Sequence, residues 1–348
     1  MPAFKPSNKN QWQDDFALLL ERFKTFDEQP DLSVGDSQKT LIHQENKLRL
    51  FRYSARQGKQ KKTPILIVYA LVNRPYITDL DQDRSLVLRL LEMGYPVYLL
   101  DWGYPDSSDS LTDLNDYING QLYRCVQQVK RLNQIKKIDL LGICQGGVFS
   151  LCYSALHRSD IRKLVTLVTP VDFHTKDNPL SLWTQHIEPT ALINTTGNIA
   201  GDTVSLLFKT LKPYQLNRDN YRQIEHLNKN KRALEHFLRM EKWLRDNPDL
   251  AGQAAVEFMH SFYQQNKLHK GQLSLADQAV TLANIQCPVL NLYAKLDHIV
   301  PPSSSQALAQ HINPELYQEH ALEGGHIGAF TSLKTQKKLT SLLVNWLS

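Results

Sequence analysis

Ile138-Asp139-Leu140-Leu141-Gly142-Ile143-Cys144-Gln145-Gly146-Gly147 decides the fold of this chain. Ile138–Leu141 reads as a buried strand, and a helix is expected from about Gln145 to His157. Only Gly142, Ile143 and Cys144 separate the two. A strand-to-helix turn this tight needs small residues two before and two after its apex, and Gly142 and Gly146 supply them. The apex is Cys144, with the positive end of a helix dipole directly behind its sulfur. The bland alternative, a buried cysteine beside a glycine-rich turn, does not account for the strand and helix on either side.

The same alternation recurs on both sides of this turn. Leu48–Tyr53, Ile65–Tyr69, Pro96–Leu100 and Leu164–Val168 read as strands, with helices expected over Asp83–Met93 and Leu114–Leu132. Strands alternating with helices over more than a hundred residues imply an α/β fold: a mostly parallel sheet with helices on both faces. The alternation stops at Thr169–Pro170. Residues 171–283 hold no strong strand but contain the helix-like segments Lys231–Arg245 and Ala251–Gln265. They read as a mainly helical cap, inserted into a core made of residues 36–170 and 284–348 and entered on the active-site side, so that it covers Cys144. Strands return at Pro288–Tyr293 and Leu316–Leu322, and a helix over Leu333–Leu347 closes the chain. Residues 1–35 read as a separate N-terminal helical segment.

Composition narrows the function. With 348 residues, 42% of them hydrophobic, the chain can bury a large core. A net charge of +5 suits an anionic substrate, whereas no basic stripe with interleaved aromatics speaks for nucleic acid. Met1–Asn10 is polar and no apolar core follows, so no secretory signal is expected. The apolar run Pro64–Val72 is about half a membrane span. A cytoplasmic protein is the expectation. Cys125, Cys144, Cys152 and Cys287 fit neither zinc spacing nor a disulfide framework, and no metal is expected.

Cysteine at the apex of a Gly-x-Ser-x-Gly type turn calls for an acid and then a histidine later in the chain, the order of the α/β-hydrolase fold. Asp297 follows the strand Pro288–Tyr293, and His326 follows Leu316–Leu322 between glycines. Strand ends are where open α/β sheets place their sites. Backbone N–H groups of Gln145 and of Val72, in the loop after Ile65–Tyr69, are the candidate oxyanion hole. His298 adjoins Asp297 and either structures that loop or tunes the acid. Cys125 and Cys152 read as core residues.

With these residues in place, the chain resembles the polyhydroxyalkanoate synthases, in particular the catalytic subunit of the two-component class III enzymes. The resemblance rests on Gly142–Gly147, Val68–Tyr76 (VYALVNRPY), Asp101–Pro105 (DWGYP), Val168–Phe173 (VTPVDF), Phe237–Trp243 (FLRMEKW), Leu296–His298 and Gly324–Gly328 (GGHIG). It runs from about Asp36 to the end. It implies a substrate, (R)-3-hydroxybutyryl-coenzyme A or a similar hydroxyacyl thioester, and a polyester product laid down in granules. It implies a PhaE-type second subunit, a homodimer or larger assembly, and no cofactor besides the thioester substrate. Two readings compete: a cysteine thioesterase or esterase with the same residues, and a non-catalytic granule-binding protein. Two roles for Asp297 stay open, orienting His326 or acting directly on the substrate hydroxyl. In Gln11–Phe26, Trp12, Phe16, Leu19, Phe23 and Phe26 share one helical face. That face either packs on the chain's own core or docks the second subunit.

Overall fold

A computed structural model describes residues 31–35, 37–54, 61–210 and 231–347. The amphipathic stretch Gln11–Phe26 lies outside the described residues. Ten strands occur among them: β1 (Lys39–Glu45), β2 (Leu48–Tyr53), β3 (Ile65–Val68), β4 (Val97–Asp101), β5 (Ile138–Ile143), β6 (Ile161–Leu167), β7 (Ser274–Leu275), β8 (Gln278–Ala279), β9 (Val289–Ala294) and β10 (Tyr317–Leu322). Eight of these form one sheet in the order β1-β2-β4-β3-β5-β6-β9-β10, and β7 pairs separately with β8. β1 and β2, and β2 and β4, run antiparallel. Every other neighbour in the large sheet is parallel.

The burial of the central strands follows from their sequence. Every residue of β3 (ILIV) and β5 (IDLLGI) is buried, as a strand covered on both faces requires. Side chains alternate across a strand, so Leu66 and Val68 join one apolar layer, with Phe149 and Val148. Ile65 and Ile67 join the opposite layer, with Leu339 and Leu343 of the closing helix Leu333–Leu347. The helix Leu86–Glu92 starts where Ser85 Oγ accepts the Leu88 N–H, which replaces one of the bonds a helix start leaves unmade.

The sequence pattern missed β1. Its residues (KTLIHQE) are mostly exposed and the strand has no fully buried side chain, so no apolar alternation marks it. The pairing with β2 also slips between Leu41 and His43. Two helices depart from a uniform α-helical expectation. Residues Asp116–Leu122 form a wide π-helical turn before the regular helix Tyr123–Asn133. Gly252–Phe258 likewise widens into Met259–Gln264.

Residues 171–283 contribute the helices Pro179–Thr184, Gly201–Thr210, Lys231–Arg245 and Gly252–Phe258. Phe258 and Phe262 stack with ring centres 4.4 Å apart. Phe258 meets Phe149 edge-on at 6.3 Å, so this segment shares core packing with the helix Gln145–Leu156.

Candidate active site

β5 sits between β3 and β6 in the sheet and delivers Cys144 to its end. Cys144 has φ 54° and ψ −125°, backbone angles that cost a non-glycine residue about 1–3 kcal/mol. Two hydrogen bonds hold it there: its N–H donates to Leu167 O at 2.9 Å, and its carbonyl accepts the Gly147 N–H at 2.9 Å. The surrounding glycines are a matter of space. A Cβ on Gly142 would stand 2.5 Å from Gly147 Cα, and one on Gly147 would stand 1.9 Å from Thr169 Oγ1. On Gly146 it would stand 2.2 Å from Val68 O and 2.6 Å from Tyr69 C, both backbone atoms of β3 and the loop after it. Gly146→Ala must therefore push β3 from the nucleophile helix. We expect a loss of about 1–3 kcal/mol in denaturant unfolding, with activity falling further than stability accounts for, because the displaced backbone leads into the Ala70–Asn73 loop.

β9 and β10 are parallel neighbours, so the loops that leave their ends lie side by side. Lys295 N–H donates to Leu322 O and Leu296 N–H to Gly324 O, both at 3.0 Å, which zips the two loops together. Gly324 sits at φ +92°, a conformation that L side chains rarely adopt. The result is an ion-pair contact: His326 Nδ1 lies 2.7 Å from Asp297 Oδ2. The other carboxylate oxygen, Oδ1, accepts the N–H groups of Ile299 and Val300, each at 2.9 Å. The Asp297 side chain is fully buried and that of His326 is 6% exposed. Burial opposes a charge on His326. The Asp297 carboxylate, the neighbouring Cys144 sulfur and hydrogen bonds to both outweigh it, and hold the imidazole well above its ordinary range. The structure thus brings Cys144, His326 and Asp297 together. His298 lies half-buried beside Asp297.

The loop after β3 is tied on both sides. From the nucleophile side, Gln145 Oε1 accepts the Leu71 N–H at 3.0 Å. From the 171–283 segment, Trp243 Nε1 donates to Arg74 O at 2.8 Å, and Asn73 Nδ2 reaches Trp243 O at 3.4 Å. Val72 lies between these ties, half-buried against the cluster of Ile199, Val204 and Ala255. The Arg74 guanidinium bonds both Asp101 oxygens at 2.7 and 2.8 Å and Gly103 O at 2.5 Å, and lies 4.0 Å over the Tyr104 ring. The sequence motifs containing Tyr69–Tyr76, Asp101–Pro105 and Phe237–Trp243 are therefore one packed unit. Nothing in their spacing indicates this, because 170 residues separate Asn73 from Trp243. Tyr263 was equally illegible. Burial first, and then the charge of Cys144, push its phenol pKa up, and its ring packs 4.9 Å from Phe173.

The other cysteines are chemically quiet. Burial pushes the thiols of Cys125, Cys152 and Cys287 up to about 12, while Cys144 is half-buried. Among the described residues, no group of three or more His, Cys, Asp or Glu could hold a metal ion, and no helix is long and apolar enough to cross a membrane.

Comparison with known proteins agrees with this fold. Residues 63–333 match the family model described as the alpha/beta hydrolase fold. Residues 27–90 match that of the poly-beta-hydroxybutyrate polymerase (PhaC) N-terminus. The poly(3-hydroxyalkanoate) polymerase subunit PhaC of Allochromatium vinosum is 46% identical over 319 residues, covering 91% of this chain and 90% of the relative. This chain belongs to the PhaC family. The PhaC of Synechocystis sp. is 42% identical over 96% of this chain and 90% of its own length. Among solved structures, a putative lipase from Sulfolobus solfataricus superposes with a TM-score of 0.55 at 15% identity, over 89% of this chain and 98% of that one. A putative non-heme bromoperoxidase, BpoC, from Mycobacterium tuberculosis does so with 0.52 at 10% identity, over 88% and 98%. At that identity these two share the fold with this PhaC chain and no more.

Proposed function

We propose that this chain polymerises (R)-3-hydroxyacyl-coenzyme A, with 3-hydroxybutyryl-coenzyme A as the working substrate, through an acyl thioester on Cys144. Membership of the PhaC family supports the reaction. One observation carries the assignment of residues: a half-buried cysteine on a strained elbow, within reach of a buried His326–Asp297 pair. In the first step the Cys144 sulfur attacks the thioester carbonyl. His326 already holds the proton drawn from Cys144 and passes it to the departing coenzyme A sulfur, so one thioester replaces another. Thiol-for-thiol exchange keeps the acyl group activated, whereas a serine ester would discard much of that activation. In the second step the 3-hydroxyl of another unit attacks, loses its proton to His326 and leaves an oxygen ester, with the Cys144 thiol restored. The oxyanion of each step is held by the N–H groups of Gln145 and Val72.

Of the two roles for Asp297, orientation of His326 has the better support. Both carboxylate oxygens are already engaged and the side chain has no exposed surface, so a substrate hydroxyl would reach it only if the surrounding residues moved aside. Residues 171–283 act as a cap that excludes water from the acyl-enzyme, which favours transfer over hydrolysis; the Tyr263 phenol in this segment responding to the charge of Cys144 supports that reading. The second subunit is of the PhaE type, and the relatives being polymerase subunits by name supports a partner. The assembly works in the cytoplasm at the granule surface, without a bound cofactor.

The test is direct. The protein is incubated with (R)-3-hydroxybutyryl-coenzyme A while free thiol, turbidity and free 3-hydroxybutyrate are followed. Polymer turbidity in step with thiol release is expected. Free acid in amounts equal to the thiol would mark a thioesterase instead, and no thiol release would leave only a binding role.

A further inference from the structure

We propose that Trp243 and the Gln145 side chain are positioning residues that fix the Val72 N–H for oxyanion binding, a reading that rests on the donor assignment above. A loop N–H stabilises an oxyanion only if it is already aimed when charge develops, since reorientation would cost what binding returns. Val72 belongs to a loop with no strand or helix of its own, and its neighbours are fastened instead. Leu71 is fastened through its N–H to Gln145 Oε1 at 3.0 Å. Arg74 is fastened through its carbonyl to Trp243 Nε1 at 2.8 Å. Asn73, at φ 59°, is fastened through its amide to Trp243 O at 3.4 Å.

The two anchors come from different parts of the chain. Gln145 follows the nucleophile, so one residue supplies a donor through its backbone and aims the second donor through its side chain. Trp243 ends a turn of the helix Lys231–Arg245 and is 2% exposed. Its helix is held in turn by Asp246, whose carboxylate accepts the Tyr76 hydroxyl at 3.0 Å and the Tyr104 hydroxyl at 2.8 Å. Residues of the 171–283 segment thereby take part in building the site as well as in enclosing it.

The test compares two reactions of Cys144. Acylation by (R)-3-hydroxybutyryl-coenzyme A passes through an oxyanion, whereas alkylation by iodoacetamide does not. Trp243→Phe keeps most of the ring and removes the donor; Gln145→Met keeps the volume and the backbone N–H and removes the acceptor. In each full-length variant we expect kcat for thiol release to fall about 10- to 100-fold, with KM and the alkylation rate close to wild type. Should Trp243→Phe fail to fold by circular dichroism, Gln145→Met decides the matter alone. Wild-type kcat in the folded variants would overturn the proposal, as would alkylation falling in parallel with acylation. Cys144→Ala in the same assay separates this from the broader reading. If that variant turns over, the assignment of the nucleophile is wrong. If it is inert while the two positioning variants are unimpaired, only the positioning role is lost.

Discussion

Cys144→Ala should release coenzyme A from (R)-3-hydroxybutyryl-coenzyme A at a rate lower by about 10⁴-fold or more, with its fold retained. The two halves of that expectation have different origins. Chemistry is lost because no other thiol can substitute: Cys125, Cys152 and Cys287 are buried, with their thiols pushed up to about 12. The fold persists because Cys144 is held through its backbone N–H and carbonyl, which alanine keeps. The side chain is only half-buried, so its loss leaves no large cavity. The measurement is thiol release by a chromogenic disulfide, alongside a denaturant titration. Turnover near wild type would remove Cys144 from the mechanism.

His326→Gln should suppress acylation by about 10²- to 10⁴-fold, the span general acid–base catalysis supplies. Asp297→Asn should slow acylation and elongation by the same factor, because Asp297 acts through the imidazole in both steps. Single-turnover acylation and polymer growth are measured separately. Loss of elongation with acylation intact would return Asp297 to direct contact with the hydroxyl. The same variant has a pH signature. Folded His326 keeps its proton above the ordinary imidazole range. The pair's contribution to stability is thus complete below about pH 6.5, the unfolded value, and is lost as pH rises through the raised folded one. Asp297→Asn should flatten that alkaline decline and lower the pH at which the His326 ring titrates by NMR.

Where the sequence was readable, it was so because one physical demand dominated. β5 and the helix after it could be read because a strand-to-helix turn with a side chain at its apex tolerates little but glycine on either side. The helices Lys231–Arg245 and Leu333–Leu347 were legible to the residue, since each carries a clear apolar stripe. Chain order and strand ends single out Asp297 and His326 in the sequence, while their 2.7 Å contact depends on β9 and β10 being neighbours, which no local pattern encodes. β1 was invisible because its stability comes from backbone pairing with β2, and such bonds leave no mark on side-chain choice. Trp243 was read as part of a helix, since its bond to Arg74 O lies across 169 residues of chain.

That same β1 border has a colloidal consequence. An open sheet edge is an invitation to a second copy, and the danger grows when many copies crowd onto one surface. Here the edge strand carries Lys39, His43 and Gln44, and its ladder is interrupted between Leu41 and His43. A neighbour attempting to extend the sheet would meet a charged, kinked border on which a straight strand finds no continuous register. Extension of the sheet across the β1 border is therefore disfavoured, and two molecules that meet there do so through side chains.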